Sequence, residues 1–236
     1  MSTAMVIGAN GGIGSALVAA LAASGRYDRV IAAARREPAM LPARVAYLPI
    51  DAADPASIGA AAAHIDVPLT RIIVATGILH DEGGGPERSL RDLDAGRLAH
   101  LFAVNTIGPA LILRHFAPLL DRDAPAAIAC ISARVGSISD NRLGGWYGYR
   151  ASKAALNQIV RTAAIELARS RPRAVCVALH PGTVDTGLSK PFQRGVPAEK
   201  LFMPAYSAGR LLAVLDELTP AQSGRIFAWD GSEIAP

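Results

Sequence analysis

AMVIGANGGIG, residues 4–14, joins a short apolar run to a helical pattern that continues to residue 24. The run at residues 4–7 has the composition of a buried strand. Glycines between a strand and a helix let the chain turn tightly and let a phosphate group approach the backbone. The start of the helix offers free N–H groups and the positive end of the helix dipole. The spacing Gly8-x-x-x-Gly12-x-Gly14 therefore predicts a phosphate-binding turn.

Six further apolar runs alternate with helical patterns along the chain. We predict strands over residues 29–34, 45–50, 72–75, 126–131, 174–179 and 225–229, and helices over 12–24, 93–120, 147–169 and 206–218. This alternation indicates parallel strands joined by helical crossovers, and the uniformly apolar strands indicate a sheet covered on both faces. The sequence predicts an α/β fold, a doubly wound parallel sheet of about seven strands in a single domain over residues 1–236. Pro109 and Pro118 should mark a break or turn in residues 93–120.

Composition excludes several broad classes of protein. With 51% apolar and 19% charged residues the chain is not disordered. A net charge of +4 without a run of five basic residues gives no indication of nucleic-acid binding. Residues 1–25 contain no Lys or Arg, so we expect no signal peptide, and their glycines and Asn10 interrupt the apolar run that a membrane span needs. We expect a cytoplasmic protein. Cys130 and Cys176 should be buried and reduced, and the histidines show no metal-ligand spacing.

The residues after the second and third predicted strands indicate which dinucleotide a phosphate-binding turn of this kind would accept. Arg35 and Arg36 stand where proteins that bind NAD usually place an acidic residue for the ribose hydroxyls. Two guanidinium groups suit a 2′-phosphate instead, so we predict a preference for NADP(H) over NAD(H). Asp51 either accepts a hydrogen bond from the adenine amino group or caps the following helix together with Asp54.

Tyr149 and Lys153 lie four residues apart near the start of the predicted helix 147–169. This spacing places the phenol and the ammonium on one face of the helix. A free tyrosine has a pKa of about 10, and a neighbouring cation should lower that pKa by stabilising the phenolate. We therefore predict that Tyr149 is a general acid.

Five motifs, in this order, are similar to those of the short-chain dehydrogenase/reductase family. Besides the glycine turn and the Tyr149/Lys153 pair they are Ala75-Thr76-Gly77, Val104-Asn105-Thr106-Ile107-Gly108-Pro109 and Pro181-Gly182-Thr183-Val184-Asp185-Thr186. The resemblance covers nearly the whole chain and implies a Rossmann fold. The stretch from residue 136 to residue 153 resembles more narrowly the C-factor and Sniffer-type carbonyl reductases.

The resemblance implies hydride transfer from NADPH to a carbonyl group, with Tyr149 protonating the oxygen. Lys153 would hold the ribose hydroxyls and lower the pKa of Tyr149, and Asn105 would complete a water-mediated proton path. Val184 would contact the nicotinamide carboxamide through its backbone. The coenzyme contacts implied for this chain are Gly8, Asn10, Gly12, Ile13, Gly14, Arg35, Asp51, Ala75, Thr76, Gly77, Tyr149, Lys153, Pro181, Gly182, Val184 and Thr186.

Two positions depart from the family pattern. Ile7 stands where the glycine motif usually begins with Thr, and Ala133 stands where the family has the serine that orients the substrate carbonyl. Ser132 is adjacent and is assigned to the catalytic set, although a shift of one residue in an extended strand turns a side chain to the other face. Ser137 is a second candidate for the missing hydroxyl.

Residues 183–206 form a segment too long for a plain connection and are expected to be a lid over the substrate. Its apolar members favour an apolar carbonyl compound; they are Leu188, Phe192, Leu201, Phe202 and Met203.

The leading hypothesis is an NADPH-dependent carbonyl reductase. The alternative is a weakly active NADP(H)-binding signalling or sensor protein on the same scaffold. Family members are often dimers or tetramers, so a homodimer or homotetramer is one expectation, beside the monomers that also occur.

Overall fold

The structure, a computed structural model, describes residues 2–80 and 84–236. Its strands are β1 (Thr3–Ile7), β2 (Arg29–Ala34), β3 (Val45–Pro49), β4 (Arg71–Val74), β5 (Ala126–Ile131), β6 (Ala174–His180), β7 (Thr183–Val184), β8 (Leu201–Phe202), β9 (Ile226–Ala228) and β10 (Glu233–Ile234). Its α-helices are α1 (Gly12–Ala23), α2 (Pro55–Ala63), α3 (Ala95–Phe102), α4 (Gly108–Phe116), α5 (Tyr147–Ser170) and α6 (Pro204–Glu217).

The main sheet has eight strands in the order β10-β9-β6-β5-β4-β1-β2-β3. Seven of them run parallel, and β10 pairs antiparallel with β9 at one edge. The predicted doubly wound parallel sheet is confirmed. The eighth strand, β10, was not predicted, because a strand of two residues is too short to show a periodic pattern. The same holds for β7 and β8, which pair with each other outside the main sheet.

Two apolar cores cover the two faces of the sheet. On one face Ile58 of α2, Phe116 of α4 and Val160 of α5 pack together. On the other face Leu17 of α1 and Leu211 of α6 are buried. Since both faces are covered by helices, the strands are apolar at successive positions, as in other buried parallel sheets. Cys130 and Cys176 are buried free thiols in this interior.

The strand order reverses beside β1, which pairs with β2 on one side and with β4 on the other. The chain first builds the sheet towards β3 and then continues from β4 in the opposite direction. At such a switch point the loops after the two neighbouring strands diverge and leave a crevice at their carboxyl ends. Gly8 and Ala75, which follow β1 and β4, meet at this place.

The helical segment between β4 and β5 differs in detail from the prediction. The irregularity lies in a π-helical turn over Ala103–Ile107, where the Gly108 N–H donates to the Ala103 carbonyl, and α4 then continues the chain. Pro109 stands in the first turn of α4, directly after the π-helical turn, and its missing N–H cannot donate to the Asn105 carbonyl one turn earlier. The helical course nevertheless continues through Pro109.

The stretch Ala95–Leu119 is, within the described ranges, the one helix long and apolar enough to cross a membrane. Its side chains Ile112, Leu113 and Phe116 are buried in the core that also contains α2 and α5. A helix that packs into the core of a domain has the same length and composition.

Candidate active site

The glycine turn after β1 forms a narrow cradle. Gly8 has φ +92°, and a Cβ on it would lie 2.9 Å from the carbonyl carbon of Ala75. A Cβ on Gly14 would lie 2.1 Å from the Gly8 oxygen, and one on Gly12 would lie 2.6 Å from the Thr186 methyl carbon. Helix α1 starts here without a side-chain cap or an acidic residue in its first turn. The free N–H groups of that turn suit a phosphate, since no side chain competes for them.

A cavity of about 550 Å³ extends from this cradle along the carboxyl ends of β1, β2 and β3. Arg35 and Arg36 line it and are exposed. The Asn10 side chain donates to the Arg36 carbonyl at 2.6 Å, which ties the glycine turn to the end of β2. Asp51 also lines the cavity, whereas the cap of α2 is Asp54, whose carboxylate accepts from the Ala56 N–H at 2.9 Å. The adenine contact of Asp51 stays a prediction.

A second cavity of about 320 Å³ contains the predicted reacting pair. It shares Ala75, Thr76 and Gly77 with the first cavity, so the two adjoin around the turn after β4. Tyr149 and Lys153 both line it, with the Lys153 Nζ 5.9 Å from the centre of the Tyr149 ring. Two cavities that adjoin at the turn after β4, the first of them lined by the glycine turn after β1, suit a dinucleotide.

Burial is the largest cause of the pKa shifts of Tyr149 and Lys153. It raises the pKa of Tyr149 to about 12 and lowers the pKa of Lys153 to about 8, because both charged forms lose contact with water. The Lys153 ammonium donates to the Ile131 carbonyl at 2.9 Å. The direction for Tyr149 is opposite to the one expected from the sequence. Tyr149 therefore keeps its proton at neutral pH, and, unless a nearby positive charge stabilises its phenolate, it is a weaker acid than a free phenol.

Asn105 is fully buried in the π-helical turn. Its amide bridges the backbone of Ile78, accepting from the N–H at 2.9 Å and donating to the carbonyl at 2.8 Å, and also donates to the Ser152 hydroxyl at 3.1 Å. The side chain therefore ties the loop after β4 to α5. Pro109, four residues on, has no N–H to donate to the Asn105 carbonyl. The predicted water relay through Asn105 stays a prediction.

The end of β5 carries the departure from the family pattern. Ala133 and Ser132 both line the cavity of Tyr149, but Ser137 does not. The Ser137 hydroxyl accepts from the Asp140 N–H at 3.1 Å, outside the site. The Ser132 hydroxyl lies 2.7 Å from the side-chain oxygen of Asn157. Of the two serines predicted to replace the missing hydroxyl, only Ser132 lines the cavity.

The turn after β6 and the segment 183–206 close the other side of the cavity. Gly182 has φ +79°, and Val184 and Thr186 line the cavity with Pro181. From the predicted lid Leu188, Ser189, Phe192 and Val196 reach the cavity. Leu201, Phe202 and Met203 do not line it. Phe202 packs on Trp229 with ring centres 4.5 Å apart, and Met203 is exposed. The apolar wall is thus the first half of the lid.

The model of the short chain dehydrogenase family matches residues 2–196, which contain the glycine turn and the Tyr149/Lys153 pair. The chain belongs to the short-chain dehydrogenase family. C-signal of Myxococcus xanthus is 38% identical over 147 residues, covering 62% of this chain and 82% of that protein. The 1-hydroxy-2-glutathionyl-2-methyl-3-butene dehydrogenase of Rhodococcus sp. (strain AD45) is 34% identical, and the match covers 98% of each chain.

Solved structures of carbonyl reductases have the same fold as this short-chain dehydrogenase. The NADPH-bound carbonyl reductase from chicken fatty liver is 30% identical, has a TM-score of 0.84, and is matched over 98% of its length by 99% of this chain. Carbonyl reductase Sniffer of D. melanogaster has a TM-score of 0.86 over the whole of both chains at 24% identity. These matches confirm the predicted resemblance to carbonyl reductases of this family.

One residue that supports the site of this short-chain dehydrogenase was not found from the sequence. Glu87 is 1% exposed, its carboxylate accepts from the Gly148 N–H at 3.2 Å, and its carbonyl accepts from the Trp146 N–H at 2.6 Å. Trp146, which precedes α5, has φ +53° and no capping side chain of its own. Glu87 thus caps the helix that carries Tyr149 from a position 61 residues earlier, and no sequence pattern links the two.

Proposed function

We propose that this short-chain dehydrogenase is an NADP(H)-dependent carbonyl reductase. One observation carries the proposal: Tyr149 and Lys153 line a cavity that continues, through Ala75, Thr76 and Gly77, into the crevice beside the glycine cradle. Such an arrangement can hold a coenzyme at one end and a carbonyl compound beside its reactive ring. The relatives described as carbonyl reductases support the reaction type.

When bound, the reduced nicotinamide supplies the hydride. Tyr149 is protonated at neutral pH, and it delivers its proton from Oη to the carbonyl oxygen as negative charge develops there, while the nearby Lys153 ammonium stabilises the phenolate that forms. Lys153 lies four residues further along the same face of α5 and supplies an ammonium whose Nζ is 5.9 Å from the centre of the Tyr149 ring. Asn105 and Ser152 hold the helix of these residues against the loop after β4.

The substrate wall is mainly apolar and aromatic. Trp146 lies between Tyr149 and Phe192, with ring centres 6.2 Å and 5.3 Å away, and Phe192 is 5.6 Å from the ring of His80. Burial lowers the pKa of His180, which also lines the cavity, to about 4, so this side chain is neutral at pH 7. We propose an apolar ketone, aldehyde or quinone as the substrate class.

A panel of quinones, ketones and aldehydes with NADPH tests the proposal. We expect oxidation of NADPH with at least one class, and none with the Tyr149→Phe variant. Ala133 favours the second candidate, a signalling or sensor protein with little turnover, because the family's orienting hydroxyl is missing. No turnover above that of Tyr149→Phe, together with tight NADPH binding, would support the sensor.

Arg35 and Arg36 are proposed to bind the 2′-phosphate of NADP(H). A charge-assisted hydrogen bond contributes about 1.5–3 kcal/mol, and both arginines are exposed. Taking the loss as equivalent to one such bond, we expect the double variant Arg35→Ala/Arg36→Ala to bind NADPH about 10- to 100-fold more weakly while its affinity for NADH changes little. Titration of both coenzymes by fluorescence measures this. Arg169→Ala, an exposed arginine at the end of α5, is the matched control. Equal affinities of the wild type for the two coenzymes would remove the argument.

A further inference from the structure

Ala133 leaves the cavity without the hydroxyl that would orient a substrate carbonyl. Its methyl group lines the cavity, and the neighbouring Ser132 is buried with only 2% of its surface exposed. A hydrogen-bond donor to a developing oxyanion is worth about 10²–10³ in rate. Whether Ser132 supplies that donor depends on where its hydroxyl proton points.

The partner of Ser132 is Asn157 on α5. The Ser132 Oγ lies 2.7 Å from the Asn157 Oδ1, and the Asn157 Nδ2 is buried without a hydrogen-bond partner. In this arrangement the serine proton is held by the amide oxygen and is withheld from the cavity. The two N–H bonds of the amide are left unpaired, and leaving buried donors unpaired is unfavourable.

A rotation of the Asn157 side-chain amide by about 180° both frees the serine proton and gives the buried Nδ2 a partner. The oxygen and the nitrogen of an amide exchange places at nearly the same geometry. Nδ2 then donates to the Ser132 oxygen, and the serine hydroxyl is free to donate its own proton to a ligand. Buried N–H groups are paired more strictly than buried carbonyls, which favours this orientation.

We propose that Asn157 is a positioning residue that donates to Ser132 and thereby makes the Ser132 hydroxyl the donor to the substrate carbonyl, in place of the serine missing at Ala133. The proposal rests on the proposed carbonyl reductase function. Tyr149, Lys153 and Asn157 follow one another at intervals of four residues, so they share one face of α5. That face therefore supplies the acid, the ammonium and the group that orients the second donor.

Three variants test this pairing. Ser132→Ala removes the donor, and we expect kcat for carbonyl reduction to fall about 10²-fold. Asn157→Asp has nearly the same shape, but its ionised carboxylate only accepts hydrogen bonds, so it captures the serine proton and should lower kcat at least tenfold. In the double variant the aspartate should cost nothing beyond Ser132→Ala, because Asn157 acts through Ser132. NADPH affinity should stay unchanged in all three.

The matched control is Gln158→Glu, the same amide-to-acid change at the next, exposed position of α5, which should leave kcat unchanged. A Ser132→Ala variant within a few-fold of the wild type would overturn the proposal, as would an Asn157→Asp effect that persists in full in the Ser132→Ala background. Either result leaves the carbonyl reductase function standing if Tyr149→Phe is inactive. A wild type that reduces no carbonyl with NADPH overturns both.

Discussion

Replacing Tyr149 by phenylalanine is expected to lower kcat for carbonyl reduction about 10³-fold, because a positioned general acid typically contributes 10²–10⁴. The ring of Tyr149 is buried and packs edge-on against Trp146 with centres 6.2 Å apart. Phenylalanine keeps that packing and removes only the transferable proton. Stopped-flow measurement of NADPH oxidation gives kcat, and fluorescence titration should show an unchanged NADPH affinity.

Tyr147→Phe is the matched control, since Tyr147 is on the same helix but does not line the cavity. It should retain nearly full activity. A Tyr149→Phe variant with a kcat close to that of the wild type would show that the proton comes from another group.

The two directions of the reaction should depend on pH in opposite ways. Burial raises the pKa of Tyr149 to about 12. The phenol that reduction needs therefore persists through neutral pH, and the rate of reduction should fall only at high pH. Oxidation of the alcohol needs the phenolate, so its rate should increase as the pH rises.

Lys153→Met is expected to abolish most of the activity and to stabilise the fold at neutral pH. Burial lowers the pKa of Lys153 from 10.5 to about 8. Between these two pH values the unfolded chain holds a proton that the folded protein has lost, so the stability of the wild type rises with pH from about 8 to about 10.5. Below about pH 8 the folded protein bears the full free-energy cost of burying the charged ammonium. At about 1.4 kcal/mol per unit this cost is about 3 kcal/mol, and losing the hydrogen bond to the Ile131 carbonyl offsets about 1 kcal/mol of the gain.

Thermal unfolding checks this prediction. A gain of about 2 kcal/mol corresponds to a Tm increase of roughly 4–8 °C in a domain of this size. The increase should shrink above about pH 8, vanish at about pH 10 and become a small decrease above that pH, where only the loss of the hydrogen bond to Ile131 remains. Lys200→Met, at an exposed position, should change neither the Tm nor its pH dependence by a comparable amount. If Lys153→Met has a lower Tm than the wild type at every pH, the buried ammonium stabilises the fold and this prediction is wrong.

The strand and helix pattern was predictable because it depends on residues close together in the chain. Seven parallel strands, the glycine turn and the bounds of α5 agree with the prediction to within a residue or two. Pro109 predicted a break or turn in residues 93–120 but not its form, which is a π-helical turn over Ala103–Ile107, directly before the first turn of α4.

The candidate site was predictable where its members sit on one element. Helical periodicity alone puts Tyr149 and Lys153 on one face. Contacts across the fold were not predictable: the pairing of Ser132 with Asn157, the place of Ser137 outside the cavity, and the cap that Glu87 provides for α5.

The sequence by itself determined the parallel α/β sheet, the glycine turn after β1 and the placement of Tyr149 and Lys153 on one helix face, since backbone conformation and periodicity are local properties. The tertiary structure alone decided the direction of the pKa shifts of Tyr149 and Lys153, and that Ser132 but not Ser137 lines the cavity of Tyr149. These depend on exclusion of water and on partners 22 to 61 residues away along the chain. Only packing brings such partners together and removes the solvent that would otherwise screen them.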